Sequence, residues 1–228
     1  MKQHGWYPAN IDKLDDVMLE VIHRKKKNIN GVIVPHAGYF FSGEIAGKAY
    51  SFLEGEKAII FGPTHYVGFK GLASLHSIKT PYGEIKIKRN DMEKLEYEHS
   101  IENQVPFLQK LGFNEVFPIV VGEITDEEAK NIAKNISKEE GKFVFSTDLS
   151  HFLSYEKAVE EDKKTIEIIQ NLDFSKINEI NACGKYPLMI LMHLCKFKNW
   201  KPELVEYKNS GDITGKKDSV VGYASFWF

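Results

Sequence analysis

The sequence is poor in arginine and cysteine and has no long apolar run. Of its 30 basic residues only Arg24 and Arg89 are arginine, so a cluster of guanidinium forks for clamping phosphate cannot be assembled. Two cysteines, Cys183 and Cys195, are too few for a disulfide framework, which points to a reducing compartment. The longest purely apolar run, residues 188–192, falls far short of the roughly 20 residues that a membrane-spanning helix needs. With no apolar leader segment and no small-residue cleavage site near the N-terminus, a cytoplasmic location and no membrane partner are expected. Excess charge is missing too. A formal net charge of -2, without a basic stripe interleaved with aromatics, argues against nucleic acid as a partner.

What is present is enough for a sizeable core: 228 residues, 43% hydrophobic and 27% charged. No repeat, low-complexity tract or linker divides them, so residues 1–228 are read as one domain. Leu14, Val17, Met18, Val21 and Ile22 follow Asp12 at helical spacing, and the run of lysines at 25–27 ends that helix. Gly31-Val32-Ile33-Val34-Pro35 and Ala58-Ile59-Ile60-Phe61 are short buried strands, the first leading to a helix capped near Ser42. Residues 71–88 alternate about a turn at Pro81-Tyr82-Gly83, an antiparallel excursion. Helices are expected over 91–96 and from Ser100 to Leu111, although Pro106 removes a hydrogen bond from the second. Strand 116–121, helix 125–139 and strand 142–145 continue the alternation; two helices fill 155–180, a third runs over 185–197, and strands at 203–207 and 220–228 complete the sheet. This is an α/β fold: a three-layer α/β/α sandwich whose mixed sheet has parallel central strands and antiparallel excursions.

In such sheets ligands bind beyond the C-terminal strand ends, and chemically capable residues collect there. His36 lies in Pro35-His36-Ala37-Gly38-Tyr39 and His65 in Gly62-Pro63-Thr64-His65, each just past a buried strand. Asp148 and His151 sit in Ser146-Thr147-Asp148-Leu149-Ser150-His151, where a carboxylate can orient an imidazole or cap the next helix. Cys183, ahead of a helix, suits a ligand or nucleophile and reads equally as a small buried thiol. Cys195 and His193 fall on the apolar stripe of that helix and are assigned to the core. His4, His23 and His76 receive no role. Glu98-His99-Ser100-Ile101-Glu102 is dense in acid and base, yet a helix start explains it as well.

Taken together these motifs, in their order and spacing, resemble the Memo family, also known as protein B of the AmmeMemoRadiSam system. His4-Gly5-Trp6-Tyr7-Pro8 and Gly222-Tyr223-Ala224-Ser225 are similar to its two terminal signatures, so the resemblance spans nearly the whole chain. It implies a fold similar to class III extradiol dioxygenases of the LigB type, non-haem enzymes in which two histidines and a glutamate hold Fe(II). By motif, His36 and His65 take the histidine positions, Cys183 the carboxylate position, His151 the catalytic acid/base position, and Asp148 a neighbouring polar position. A thiolate is softer than a carboxylate, so iron, copper or zinc would suit the set and ring cleavage is not implied. Eukaryotic members of the family are associated with phosphotyrosine-peptide binding, a mode that two arginines do not support.

Three readings follow. A metal-dependent oxidoreductase would act on a small molecule, with His151 moving a proton. A Cys–His hydrolase would use Cys183 as nucleophile. A non-enzymatic module would use the same pocket for a metal, peptide or protein. A homodimer is compatible with any of them, given how common two-fold oligomers are.

Overall fold

A computed structural model describes residues 6–18 and 29–228. Helix α1 spans Ile11–Met18; its expected continuation to Ile22 and the closing lysines, like His4 and His23, lie outside the described residues. Strand β1, Gly31–Val34, is buried along its whole length. Because side chains alternate across a strand, Val32 and Val34 enter one core and Ile33 the other. The same alternation recurs in β2 (Lys57–Pro63), β8 (Glu115–Val121) and β9 (Lys142–Ser146). Continuous apolar runs are what a doubly covered parallel sheet requires.

These four strands form the parallel centre, in the order β1-β9-β2-β8. Antiparallel strands flank it: β12 (Val220–Trp227) against β1, and β3 (Leu72–Leu75) against β8. β11 (Glu203–Asn209) and the short β10 (His151–Leu153) both pair with β12. One face is covered by α5 (Asp126–Ile136), α6 (Tyr155–Asn171) and α7 (Lys185–Lys198). The other is covered by α1, α2 (Tyr39–Tyr50), α3 (His99–Glu102) and α4 (Val105–Lys110). The three layers and the mixed sheet agree with the sequence reading. Among the described residues no helix is long and apolar enough to cross a membrane.

Several elements differ from expectation for local reasons. Helix α2 starts at Tyr39, ahead of Ser42, because the Trp6 carbonyl accepts from Tyr39 N–H at 2.8 Å and a remote backbone group sets the helix start. The expected helix over 91–96 is absent. Asn90 Oδ1 accepts from Met92 N–H in an Asx turn, and Lys94–Leu95 pairs with β3 as strand β7. The expected helix from Ser100 to Leu111 is two helices, α3 and α4, broken at Asn103 and Gln104, with Glu98 rather than Ser100 as the first cap. Within 71–88, β4 (Lys79–Thr80) and β5 (Gly83–Glu84) make the expected hairpin, whereas β6 (Lys86–Ile87) joins β8 in parallel. The second helix of 155–180 is a 3-10 helix at Phe174–Glu179.

A short helix α8, Ser210–Thr214, links β11 to β12. Buried Asn209 caps it, accepting from Gly211 and Asp212 N–H at 2.9 and 3.2 Å, while Asp212 accepts from Asn209 N–H at 2.8 Å. Asn209→Ala is expected to cost about 1–2 kcal/mol through the lost cap. Urea unfolding reads this directly, and an unchanged midpoint would contradict it.

Candidate functional site

The parallel register brings the C-terminal ends of β1, β2 and β9 side by side, and each delivers a side chain to one cleft of about 750 Å³. His36 leaves β1 directly. Its N–H and that of Ala37 donate to Asp148 Oδ1 at 2.8 and 3.3 Å, so the carboxylate beyond β9 staples the two loops together. Its carbonyl accepts from Asn103 Nδ2 at 2.6 Å, and the Pro35 carbonyl accepts from Gln104 Nε2 at 3.0 Å. The two residues at the break between α3 and α4 therefore hold the His36 loop. His36 Nδ1 lies 2.9 Å from Ser146 Oγ. Burial, with repulsion from His65 and His99 and against the pull of Glu98, holds this imidazole well below its ordinary pKa and hence neutral.

His65 is gripped twice by Glu98: its N–H donates to Oε2 at 2.7 Å and Nδ1 meets Oε1 at 2.9 Å. Burial pushes the Glu98 carboxyl up, but hydrogen bonds from His65, His99 and Ser100 N–H outweigh it and hold the group well below the usual carboxylate range. An ionised carboxylate only accepts. His65 Nδ1 therefore carries a proton, and in the neutral ring the lone pair is the one on Nε2. His151 Nδ1 lies 2.8 Å from the Leu149 carbonyl, again only an acceptor, so its free lone pair is also on Nε2.

His99 completes the group. Its ring stacks on Trp6 with centroids 4.4 Å apart and sits 4.4 Å from His65 and 5.3 Å from His36. His36, His65 and His99 each offer a ligand atom within 4.8 Å of the others. Sequence reasoning noticed the Glu98–Glu102 acid-base density but gave His99 no role, because its ring partners come from distant segments. Glu102 is raised to about 8 by burial, and by repulsion from Glu98 against a backbone hydrogen bond.

Cys183 reaches the same place from the loop before α7. Its Sγ is 3.3 Å from His36 Nε2 and accepts from Asp148 N–H at 3.2 Å, while its own N–H donates to the Asp148 carbonyl at 3.2 Å. Burial, and then the Asp148 charge, push the thiol well above its ordinary pKa, overriding any help from the nearby helix start. Asp148 does not cap the following helix; its carboxylate serves His36 and Ala37, with Oδ2 3.9 Å from His36 Nε2. Elsewhere, Cys195 is fully buried, His193 Nε2 meets Asp126 Oδ1 at 2.8 Å, and His76 lies in the open 3.7 Å from Glu96. Phe152 follows His151 with a φ of 60° and is 78% exposed, in a bulge where β10 meets β12.

Relatives match the chain along nearly its whole length. Over 269 residues, the chain is 36% identical to a MEMO1 family protein of Sulfurisphaera tokodaii, covering 100% of this chain and 92% of the relative. It is 38% identical to one from Sulfolobus acidocaldarius, over 86% of this chain and 81% of the relative. A third, from Methanococcoides burtonii, is 33% identical over 96% and 95%. A family model described as Memo-like protein matches residues 4–227, and with nearly the whole length accounted for, the chain belongs to the Memo family.

Proposed function

We propose that the cleft is a non-haem metal pocket for iron or copper, used in redox-linked chemistry on a small molecule. His36 and His65 are its ligands, and Cys183 and His99 flank them as the further donors. The observation that carries this reading is the convergence of three imidazoles within 4.8 Å, two of them on partners that fix the ring. Metal ligands must be unprotonated. Here the His36 ring is kept neutral by burial and His65 presents a lone pair because Glu98 holds the opposite nitrogen. Such outer hydrogen bonds are what orient metal-binding histidines, and a mixed imidazole and thiol set suits copper, iron or zinc. When bound, the ion would supply Lewis acidity and electron transfer to a ligand in the cleft.

His151 lines the cleft with its Nε2 lone pair free, which suits it to accept a proton there and return it. Asp148 keeps the His36 backbone in place. The hydrolase reading needs a thiolate in the metal-free protein, whereas burial and Asp148 keep Cys183 a thiol there; a bound ion would draw off that proton, so the metal reading does not share the difficulty.

Elemental analysis of protein prepared anaerobically tests the reading, alongside Cys183→Ala and His99→Ala. Near-stoichiometric iron or copper in the native chain that falls in either variant is the expected result. Negligible metal in all three, persisting after reconstitution with ferrous and cuprous ions, would overturn it.

A further inference from the structure

Part of the cleft lining comes from the segment joining β11 to β12, and it differs in character from the histidine-bearing part. Lys216 lies there with the hydroxyl residues Ser210, Thr214 and Ser219. Among the described residues that line the cleft, Lys216 is the one lysine or arginine, and no described carboxylate forms an ion pair with it. The single acid in the lining is Asp148, which is buried with Oδ1 already engaged by the His36 and Ala37 N–H groups. An anion entering the cleft therefore meets one cation without an ion-pair partner and a single carboxylate, buried and bound through Oδ1.

The segment is held rather than loose. Asn209 caps α8, Thr214 Oγ1 donates to the Ser210 carbonyl at 2.8 Å and accepts from Lys216 N–H at 3.2 Å, and Ser210 Oγ accepts from Val221 N–H at 3.0 Å. The lining also includes the apolar side chains of Phe41, of Trp6, which stacks on His99, and of Val221, which pairs with His151 across β10 and β12. Pockets of this size and mixture take small organic molecules oriented by a few polar groups.

We propose that the cleft binds a ring-bearing monocarboxylate, with Lys216 pairing to the carboxylate and the apolar lining covering the ring. The proposal rests on the reading of the cleft as a small-molecule site and deepens it by naming the ligand class. A single lysine matches one negative charge. A phosphate dianion would be left half-compensated in a chain without arginine forks in the cleft. Amines are disfavoured by Lys216 itself. Lys216 selects the ligand and takes no part in the chemistry at the histidines.

Metal-free protein separates this proposal from the metal reading, with benzoate as the probe and benzamide as its neutral counterpart. Calorimetric titration should show saturable benzoate binding at millimolar concentrations or better. Lys216→Met, at an exposed position, should weaken benzoate by about tenfold and leave benzamide unchanged. Equal affinity for the two probes, benzoate binding unaffected by Lys216→Met, or displacement of benzoate by inorganic phosphate at equal concentration would overturn the proposal, as would no saturable binding at all. Metal found without benzoate binding would sink this proposal alone, and benzoate binding without metal would sink the metal reading alone.

Discussion

Glu98→Ala is expected to cost about 3–5 kcal/mol of stability and to weaken metal binding by at least ~10–100-fold. The carboxylate is buried and accepts from His65 N–H, from Ser100 N–H at 3.0 Å, and from the His65 ring. Removing it leaves the buried Ser100 N–H and the two His65 donors without their acceptor, which is the expensive way to break a charged network. It also frees the His65 ring to turn and to move its proton to Nε2, where the lone pair has to be. Glu98→Gln separates the two effects. The amide keeps the volume and one acceptor but points N–H groups at a donor, so a stability loss clearly smaller than that of Glu98→Ala is expected alongside a metal affinity still reduced severalfold. Chelator competition measures the affinity and urea unfolding the stability. An unchanged affinity in both variants would show that His65 is not a ligand.

Gly222→Ala should be as damaging, on the order of 3–5 kcal/mol, although it adds a single methyl group. An added Cβ would stand 1.9 Å from Asp162 Oδ2. That carboxylate, on α6 and fully buried, accepts from Ser150 N–H at 2.9 Å and from the Tyr207 hydroxyl at 2.8 Å, so it has no room to retreat. Gly222 also joins the loop that carries His151, accepting from Leu149 N–H at 2.8 Å and donating to the Ser150 carbonyl at 2.9 Å. The clash therefore reaches the proposed proton carrier. Adding Asp162→Ala to Gly222→Ala should recover part of the loss, making the double variant more stable than the sum of the single effects, since one change vacates the space the other fills. Strict additivity in urea unfolding would show that the two residues do not meet.

The central strands and the chemistry at their ends were legible because both depend on short stretches of chain. Runs such as Val32-Ile33-Val34 and Ile59-Ile60-Phe61 are long enough to be buried on both faces and too short for helices, and His36 and His65 follow them at once. Pairing then adds only direction. What was not legible depends on distant partners. The start of α2 is set by the Trp6 carbonyl, and the segment at 91–96 gives its backbone groups to the edge of β3, with Ser74 N–H donating to the Glu93 carbonyl. Asn103 and Gln104 interrupt a plausible helix because their side chains serve residues 67 and 69 positions away. His99 is the clearest case: a helix-start histidine by its neighbours in sequence, but the third ring of the cluster once Trp6 stacks on it. Cys183 was placed with the histidines by family resemblance; no spacing in the chain would have put it 3.3 Å from His36.

The staple between His36 and Asp148 joins positions 112 apart, and the contact between His36 and Cys183 joins positions 147 apart. Strand β1, which carries His36, pairs with β9 and β12 and with no strand near it in sequence. Contacts so remote form slowly, after most of the loop-closure entropy has been overcome. The cluster of rings and thiol is therefore expected to be completed late, when the sheet closes. A metal ion is then not expected to nucleate this protein as zinc nucleates a finger. It would act on the finished fold by mass action, raising stability in proportion to the logarithm of its concentration above the dissociation constant while leaving the folding rate at low occupancy untouched.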